Sequence, residues 1–348
     1  MSRHLSNVIR LSLVVLMAFV PGGTRAQSAT FASFSGKTGL PVQRLDVDWP
    51  HSAIEFSVRF MGLSTVRGAF SEFGGTIMVD TVDARRSSVS VVIQTKSINT
   101  NVESRDKDLR SENFFDAGKY PVILFRSERI DRTKTGFVAR GPLTIHGVTK
   151  QVAIPFRQTH ALMGDAWGNK RMGFLGKLSL NRKDYGILGT KFWNSEFDPG
   201  RMSISDNVDI ELNIEAEASQ VEKWTTPRGD SLLKVAAGQG IAKTLEEFRA
   251  AAADTASPLR KASAQMLNAA ATKLMHRGDF AGAAETYKLL AELNPSKDWA
   301  YAGLGEAYLM SGKKTEATDS FRKALAIDSL NTVASEYLRH IERSTASR

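Results

Sequence analysis

The chain of 348 residues contains no cysteine. Disulfide bonds, thiol nucleophiles and attachment of a lipid to a cysteine are therefore excluded. Long apolar runs are missing too, because the run Leu11–Val20 is shorter than the ~20 residues that cross a bilayer, and no other stretch approaches that length. The mature protein is therefore expected to be held together by its hydrophobic core alone.

Positive charge is present in excess but is not concentrated. The net charge is +9, of which the first 26 residues carry +3, while the remainder is spread thinly over the rest of the chain. A nucleic-acid-binding domain would place its basic residues on one face or along one helix. Nucleic acid is therefore not an expected partner.

The N-terminus has the three features of a secretory leader: a basic start, a short apolar run and a small-residue cleavage site. These are Arg3, His4 and Arg10, then Leu11–Val20, then Thr24-Arg25-Ala26. We predict a signal peptide over 1–26, followed by a flexible lead-in over 27–43, and hence a periplasmic or secreted bacterial protein. An uncleaved anchor is the alternative.

Residues 44–218 alternate between apolar and polar side chains, which is typical of half-buried strands. In Ile54–Phe60 every second residue is apolar, and Gly74-Gly75 is expected to break or bulge a later strand. The predicted strands are Ile54–Phe60, Val66–Phe73, Thr76–Asp80, Val89–Ile93, Val122–Phe125, Phe137–Ile145, Val152–Phe156, Met172–Leu180 and Val208–Ile214. Eight or nine strands without βαβ alternation favour a closed antiparallel barrel, which leaves no exposed edge.

One short polar helix interrupts this β region. Thr100 and Glu103 have the spacing of a capping box, and Phe114-Phe115 with Pro121 ends the helical stretch before the next strand. Asp106 and Asp108 stand among Arg and Lys residues, so we interpret them as part of a solvated charged face. The helix is expected to form a plug or rim over one end of the barrel.

Beyond a predicted linker over 219–230, residues 231–348 become rich in alanine and leucine with a helical period. Positions recur with an offset of 34 residues, including Gly278 and Gly312, and the second copy resembles the tetratricopeptide pattern through Tyr301, Gly305 and Tyr308. We predict repeats over 263–296 and 297–330 with a capping helix over 331–343. A generic helical hairpin bundle is the alternative. Few contacts are expected between this region and the barrel.

Candidate catalytic and metal-binding residues are sparse. His51 lies beside Ser52 and three residues after Asp48, but residues so close in sequence rarely reach the geometry of a catalytic triad, so a structural histidine is favoured. The other histidines are scattered, and no pair has metal-ligand spacing. We predict no enzyme activity, no metal and no cofactor.

A specific resemblance covers residues 45–218. Its motifs are Asp48-x-x-His51-Ser52-x-Ile54-x-Phe56, Gly68-x-Phe70-x-x-Phe73-x-Gly75, Ser97-Ile98-x-Thr100, Arg105-Asp106-x-x-Leu109, Phe114-Phe115-Asp116, Tyr120-Pro121, Phe125-x-Ser127, Gly141-x-Leu143-Thr144-Ile145-His146-Gly147-Val148-Thr149 and Arg182-x-Asp184-Tyr185-Gly186. In these the chain resembles the YceI-like lipid- and polyisoprenoid-binding family. The resemblance implies a lipocalin-like barrel, exported, that holds a long isoprenoid chain in its lumen.

The strand pattern and the resemblance together give a set of candidate site residues. Lumen candidates are Phe56, Val58, Phe60, Phe70, Phe73, Val91, Ile93, Phe114, Phe115, Phe125, Leu143, Ile145, Phe174 and Leu178. Polar rim candidates are His51, Arg105, Asp106 and Arg182. From the residues alone a solid core is favoured over a ligand cavity, and the resemblance shifts that balance toward a cavity.

The function predicted from these observations is non-catalytic carriage of an isoprenoid or similar lipid, such as an isoprenoid quinone. A protein partner is expected to bind the concave groove of the tetratricopeptide-like repeats. The alternatives are a scaffold protein with a solid barrel and an enzyme that acts on an isoprenoid lipid.

Overall fold

The computed structural model of the protein describes residues 42–165, 170–218, 227–253 and 258–346. The expected leader, almost all of the lead-in and most of the expected linker lie outside the described residues. The described strands are β1 Gln43–Val47, β2 Ala53–Phe60, β3 Ser64–Phe70, β4 Phe73–Val79, β5 Ser88–Gln94, β6 Ile98–Asn99, β7 Val122–Arg126, β8 Arg129–Arg132, β9 Phe137–Ile145, β10 Val148–Gly164, β11 Lys170–Asn181, β12 Glu196–Asp198, β13 Arg201–Met202 and β14 Ile204–Glu217. The described helices are α1 Glu103–Arg110, α2 Pro227–Gln239, α3 Ile241–Ala251, α4 Pro258–His276, α5 Phe280–Leu293, α6 Asp298–Met310, α7 Lys314–Ile327 and α8 Thr332–Ala346.

Eight antiparallel strands close into a barrel in the order β1-β4-β5-β7-β9-β10-β11-β14, with β14 pairing back onto β1. The closing register places Asp46 opposite Glu217 and Val47 opposite Ala216. Strands β2, β3 and β6 continue the lines of β1, β4 and β5, respectively, after short interruptions of the chain. Strand β14 therefore pairs with β2 as well as with β1. Closure pairs the sheet edges that an open sheet would expose, and the predicted lipocalin-like barrel is confirmed.

The predicted break at Gly74-Gly75 is wrong. The interruption lies three residues earlier, at Ser71-Glu72, and both glycines are paired within β4 against Val92 and Val91. A side chain at Gly75 would come within 2.5 Å of the Ser90 carbonyl oxygen. The glycine there permits a close approach of two backbones, which is the other use of glycine inside a strand.

The hairpin predicted around Gly147 joins β9 to β10 through a turn of two residues. His146 and Gly147 both have positive φ, 50° and 74°, as a type I′ turn requires. Because Val148 pairs with Ile145 immediately after the turn, β10 begins four residues before its predicted start.

The capping box predicted for α1 is not formed. The residue that precedes the helix is Val102, which makes no side-chain cap, and Thr100 instead donates both its backbone N–H and its hydroxyl to the Asp106 carboxylate. Asp106 is only 3% exposed, so its assignment to a solvated face is wrong. Two hydrogen bonds from one threonine stabilise the buried carboxylate, and they tie the first turn of α1 to the end of β6.

Seven of the described helices follow the barrel and pack as successive neighbours. Gly278 and Gly312 adopt the same left-handed φ, 76° and 78°, between the helices of two consecutive pairs. Side chains at Gly303 and Gly305 would each come within 2.6 Å of an aromatic ring, Tyr287 and Phe321 respectively. The region is compatible with tetratricopeptide-like repeats, in which small residues let neighbouring helices approach. Helix α2 begins at Pro227, inside the range predicted as linker.

The helical region and the barrel wall share a buried interface. Val42 and Met78 belong to one apolar cluster with helix residues that include Phe321, and Met78 is fully buried. On the same wall the Glu336 carboxylate of α8 accepts hydrogen bonds from the hydroxyls of Ser88 and Ser90. The expectation of few contacts between the two regions is therefore wrong.

Further polar contacts extend this interface along α6 and α8. The Arg44 guanidinium of β1 donates to Glu306 of α6 at 2.9 Å, and the Thr76 and Thr332 hydroxyls lie 2.8 Å apart. Arg339 donates to the Ser127 carbonyl at 2.6 Å. Helix α8 was predicted to cap a helical stack through Val333, Tyr337, Leu338 and Ile341. An adjoining polar face packs against the barrel, because Glu336 and His340 are buried there at 0% and 5% exposure.

Candidate binding cavity

The barrel interior contains two cavities that share part of their lining. The inner chamber has a volume of about 220 Å³ and the outer chamber about 290 Å³. The residues that line both chambers form a waist between them: Val91, Phe125, Ile154, Leu212 and Ile214. The two chambers therefore adjoin at these five side chains, and we refer to the pair as the apolar tunnel.

Aliphatic and aromatic side chains form most of the lining of the inner chamber, and Glu55 and Arg182 border it without presenting polar atoms to it; buried side chains cover the end far from the waist. Leu109, Phe114 and Phe115, from α1 and the turn after it, cover that end together with Tyr185 and Ile187. Phe114 and Tyr185 are buried, at 6% and 2% exposure. The short helix therefore acts as the plug predicted from its position in the sequence.

The outer chamber differs because polar groups enter its lining. Asp80, Arg132 and Gln158 border it, along with Val82, which is 88% exposed. Asp80 and Val82 lie beyond the end of β4 and Arg132 is the last residue of β8, whereas Gln158 and the waist residues lie within strands. The mouth of the tunnel is therefore at the outer chamber, on the rim formed by the loop 80–87 and the end of β8.

Strand parity explains which side chains face the tunnel. In β4 the side chains of Ile77 and Val79 line the outer chamber, while Thr76 and Met78 face the helical region. In β5, Val89 and Val91 face inward and Ser88 faces outward. The same wall thus separates the cavity from the helices, because successive side chains point to opposite faces of a strand.

Twelve of the fourteen lumen candidates line one or both chambers. They are Phe56, Val58, Phe70, Val91, Ile93, Phe114, Phe115, Phe125, Leu143, Ile145, Phe174 and Leu178. The other two do not: Phe60 packs against Trp193 with ring centres 6.3 Å apart, and Phe73 borders a separate surface pocket beside Trp49.

The polar rim candidates lie apart from the mouth. His51 is exposed and pairs with Asp48 at 2.9 Å, while Arg105 donates to the Thr100 hydroxyl at 2.7 Å. Asp106 is occupied by Thr100, as described above. Arg182 borders the inner chamber but is 5% exposed. Two of the four candidates, Asp106 and Arg182, are therefore buried, and all four already have partners.

Arg182 uses its guanidinium to hold loops together. It donates to the backbone oxygens of Ile187 at 2.9 Å and Leu188 at 2.6 Å, and to Asp206 at 3.2 Å. Burial lowers the pKa of this arginine, and the nearby Asp206 opposes that change. The residue stabilises the loop that closes the inner chamber.

The Asp48, His51 and Ser52 side chains do not form a triad. The Ser52 hydroxyl donates to the carbonyl oxygens of Asp48 and Glu215, whereas His51 bonds the Asp48 carboxylate. Folding brings the side-chain atoms of Asp48, His51 and Glu215 that could bind a metal within 4.8 Å of one another. Their spacing in the sequence did not indicate this cluster. Arg171 already lies between these carboxylates and pairs with Asp48 at 2.6 Å. The cluster is therefore an arginine-centred ion network.

Sequence reasoning missed several residues that border the tunnel. Ile210, Leu212 and Ile214 alternate along β14, so parity alone could have identified them. Ile187 and Arg132 carried no such signal, because the first lies in a loop and the second is a charged residue at a strand end.

A closed antiparallel barrel around an apolar tunnel defines the lipocalin-like class of binding proteins. The profile of the YceI-like domain matches residues 45–216. A UPF0312 protein of Vibrio cholerae is 36% identical over 172 residues, which is 49% of this chain and 84% of the relative. One from Yersinia enterocolitica is 35% identical over 144 residues, 41% of this chain and 74% of the relative. The chain belongs to the YceI-like family through its barrel.

Two solved structures are similar at lower identity. BcnA of Burkholderia cenocepacia is 20% identical with a TM-score of 0.42, and the match covers 49% of this chain and 98% of that one. A polyisoprenoid-binding domain from Saccharophagus degradans, described as implicated in plant cell wall breakdown, is 17% identical with a TM-score of 0.37. That match covers 51% of this chain and 99% of the other.

Proposed function

We propose that the barrel binds one long-chain lipid, of isoprenoid or similar type, in its apolar tunnel and carries it without chemical change. The observation that supports this most is the pair of adjoining apolar chambers in the barrel interior, which share five lining residues. Each buried methylene contributes ~0.8 kcal/mol, so about ten of them would give micromolar affinity without any polar contact.

The chamber volumes favour this function over a scaffold with a solid barrel. Native cores are packed as densely as organic crystals and contain few voids larger than a water molecule. Cavities of about 220 and 290 Å³ are far larger than such voids and approach the size of small-molecule pockets. An apolar ligand in these cavities would supply the van der Waals contacts that the side chains of the walls lack.

The buried polar groups at the closed end support binding rather than catalysis. Arg182 is occupied by loop carbonyls and Asp206, as shown by its hydrogen bonds. Burial raises the pKa of Tyr185, so its phenol stays protonated and is a weaker acid than that of an exposed tyrosine. An enzyme acting on an isoprenoid would need a free acid or base that faces the tunnel.

Export and a protein partner are further parts of the proposal. Export is supported by the leader features over 1–26, and no helix among the described residues is long and apolar enough to cross a membrane. A partner of the helical repeats is supported by their 34-residue periodicity. The face formed by α6 and α8 is buried against the barrel, so such a partner would have to use another surface or displace the barrel.

The experiment is a competition between a neutral apolar dye, N-phenyl-1-naphthylamine, and neutral isoprenoid alcohols of increasing length. Leu212→Trp replaces an aliphatic side chain of the waist with a larger indole. The control, Glu211→Gln, changes the neighbouring residue, whose side chain points out of the barrel and pairs with Lys177 at 2.6 Å. We expect geranylgeraniol to lose at least about tenfold in affinity for Leu212→Trp, with geraniol affected less, because the longer chain has to pass the waist.

Binding by the Glu211→Gln variant should match that of the wild type. The proposed function is contradicted if no isoprenoid alcohol displaces the dye from folded wild-type protein, or if the dye does not bind at all. Thermal unfolding of each variant confirms that the comparison is made between folded proteins.

A further inference from the structure

The two ends of the tunnel differ in a way that orients a ligand. The inner end is covered by Leu109, Phe114 and Tyr185, and its polar neighbour Arg182 is occupied by backbone oxygens. The outer end is bordered by exposed residues, Val82 and Arg132. A lipid with one polar terminus would therefore enter with its chain first and leave that terminus at the outer end.

Arg132 is the cation at this mouth. It is the last residue of β8, and its register partner is Phe137, the first residue of β9. The Arg132 guanidinium lies over the Phe137 ring, 5.5 Å from the ring centre. That contact holds the guanidinium at the mouth while its N–H groups remain available, since a guanidinium on an aromatic face donates around its edge.

The neighbouring charges at this rim are already paired. Asp80 pairs with Arg86 at 2.7 Å and accepts from the backbone N–H groups of Val82 and Asp83. Asp131, on the opposite face of β8, pairs with Arg129 at 2.9 Å. Within the described part of the chain Arg132 forms no ion pair, so the mouth carries one uncompensated positive charge.

An aromatic series leads from Arg132 into the tunnel. Phe137 stacks on Phe156 with ring centres 5.4 Å apart, and Phe156 meets Phe174 edge-on at 6.0 Å. All three rings line the outer chamber. A chain that follows these rings toward the waist would keep its terminal group beside the guanidinium.

We propose that Arg132 binds an anionic head group, a phosphate or a carboxylate, at the mouth of the outer chamber. The proposal rests on the proposed function, since it assigns the polar end of the same lipid. A guanidinium binds either oxyanion through two parallel N–H···O hydrogen bonds. The preferred ligand is therefore a single-chain lipid acid or lipid phosphate, and neutral alcohols or quinones of the same length bind less tightly.

The test uses two matched pairs of lipids and the same dye competition on full-length protein. The pairs are geranylgeranyl phosphate with geranylgeraniol, and oleate with oleyl alcohol; comparison between the pairs separates an isoprenoid source from a fatty-acyl one. The variant is Arg132→Gln, and the control is Arg129→Gln, an exposed arginine of the same strand that does not border the chamber.

For wild type we expect the anionic member of at least one pair to bind about tenfold more tightly at low salt, a preference that shrinks as salt is added. Arg132→Gln should abolish the preference by weakening binding of the anionic members about tenfold, with a smaller change for the alcohols, while Arg129→Gln should keep the preference. Equal binding within both pairs, or a preference that survives Arg132→Gln, would overturn the head-group assignment. If neither pair binds, the proposed function itself fails.

Discussion

Phe56 lies opposite Gly68 on the paired strands β2 and β3. Its ring occupies the space that a side chain at Gly68 would fill, because a Cβ there would come within 2.4 Å of the ring. The other side of the ring borders the inner chamber. The residue is therefore packed on one face and open to the cavity on the other.

Phe56→Ala distinguishes a tunnel from a solid core. In a solid core this change costs about 3–5 kcal/mol, from lost contacts and a new void. We expect a smaller loss of unfolding free energy, measured by denaturant titration of lipid-free protein, together with a change in the preferred chain length. Phe56→Asp should abolish lipid binding, because the charge would lack a partner in the tunnel. A full core penalty in Phe56→Ala with unchanged lipid preference would contradict the tunnel.

His340 should make stability depend on pH. Burial, together with the nearby Arg343 and Arg339, lowers the pKa of this histidine to about 4, and Asp80 opposes that change. The same imidazole lies 2.9 Å from the Ser88 hydroxyl, which also bonds Glu336. An unfolded histidine has a pKa near ~6.5, so below that pH the unfolded chain takes up a proton that the folded chain does not.

The unfolding free energy should therefore fall as the pH drops from about 6.5 to about 4, with a contribution of up to about 3 kcal/mol from this residue. Denaturant titrations across that range should show that the unfolding free energy depends less steeply on pH in His340→Gln than in the wild type. His160→Gln, which changes an exposed histidine of β10, serves as the control. An identical dependence of the unfolding free energy on pH in wild type and His340→Gln would contradict the buried neutral histidine.

At the scale of elements, α8 makes several of the contacts that hold the helical region against the barrel, and the Glu336 carboxylate is the most buried of them. Glu336 is fully buried, accepts from Ser88 and Ser90, and lies 3.1 Å from the Arg339 guanidinium. Ala302 and Glu306 of α6 occupy the positions 34 residues before Glu336 and His340. Equivalent positions of α6 and α8, which are separated in the chain by α7, therefore face the same barrel wall.

Removal of this carboxylate should destabilise the whole protein. We expect Glu336→Ala to lower the unfolding free energy by about 3 kcal/mol or more, because Ser88, Ser90 and Arg339 all lose a buried partner. Glu342→Ala removes an exposed carboxylate from the same helix and should change stability by less than about 0.5 kcal/mol. Combining Glu336→Ala with Ser88→Ala should cost less than the sum of the single changes. An effect of Glu336→Ala as small as that of Glu342→Ala would rule out this role.

How far the sequence could predict these elements depends on what covers each face. Alternation located most barrel strands, because one face of each strand is apolar and the other is not. It could not show that Ser88 and Ser90 on β5 would be buried by α8, since a polar outer face is the same in sequence whether water or a glutamate satisfies it. Likewise, the pattern around Asp106 gave the helix but not the hydrogen bonds from Thr100 that bury the carboxylate.

At the scale of the whole molecule, a single barrel wall serves two surfaces. The inward side chains of β4 and β5, such as Ile77 and Val89, line the outer chamber, while the outward Met78 and Ser88 contact the helical region. The described barrel and helices lie within one compact unit. Loss of the helical region would therefore expose apolar and polar groups on the wall of the chamber that we assign to the lipid.

The central claim is that the tunnel carries lipid, and mass spectrometry of the purified full-length protein tests it most directly. Native mass spectra should show one bound molecule that organic extraction releases, and the extract should contain a single-chain lipid with an apolar tail. Leu212→Trp should carry less of it or a shorter chain, and Glu211→Gln should match the wild type. Wild-type protein that is folded, has the mass of the polypeptide alone and yields no lipid on extraction would contradict the account.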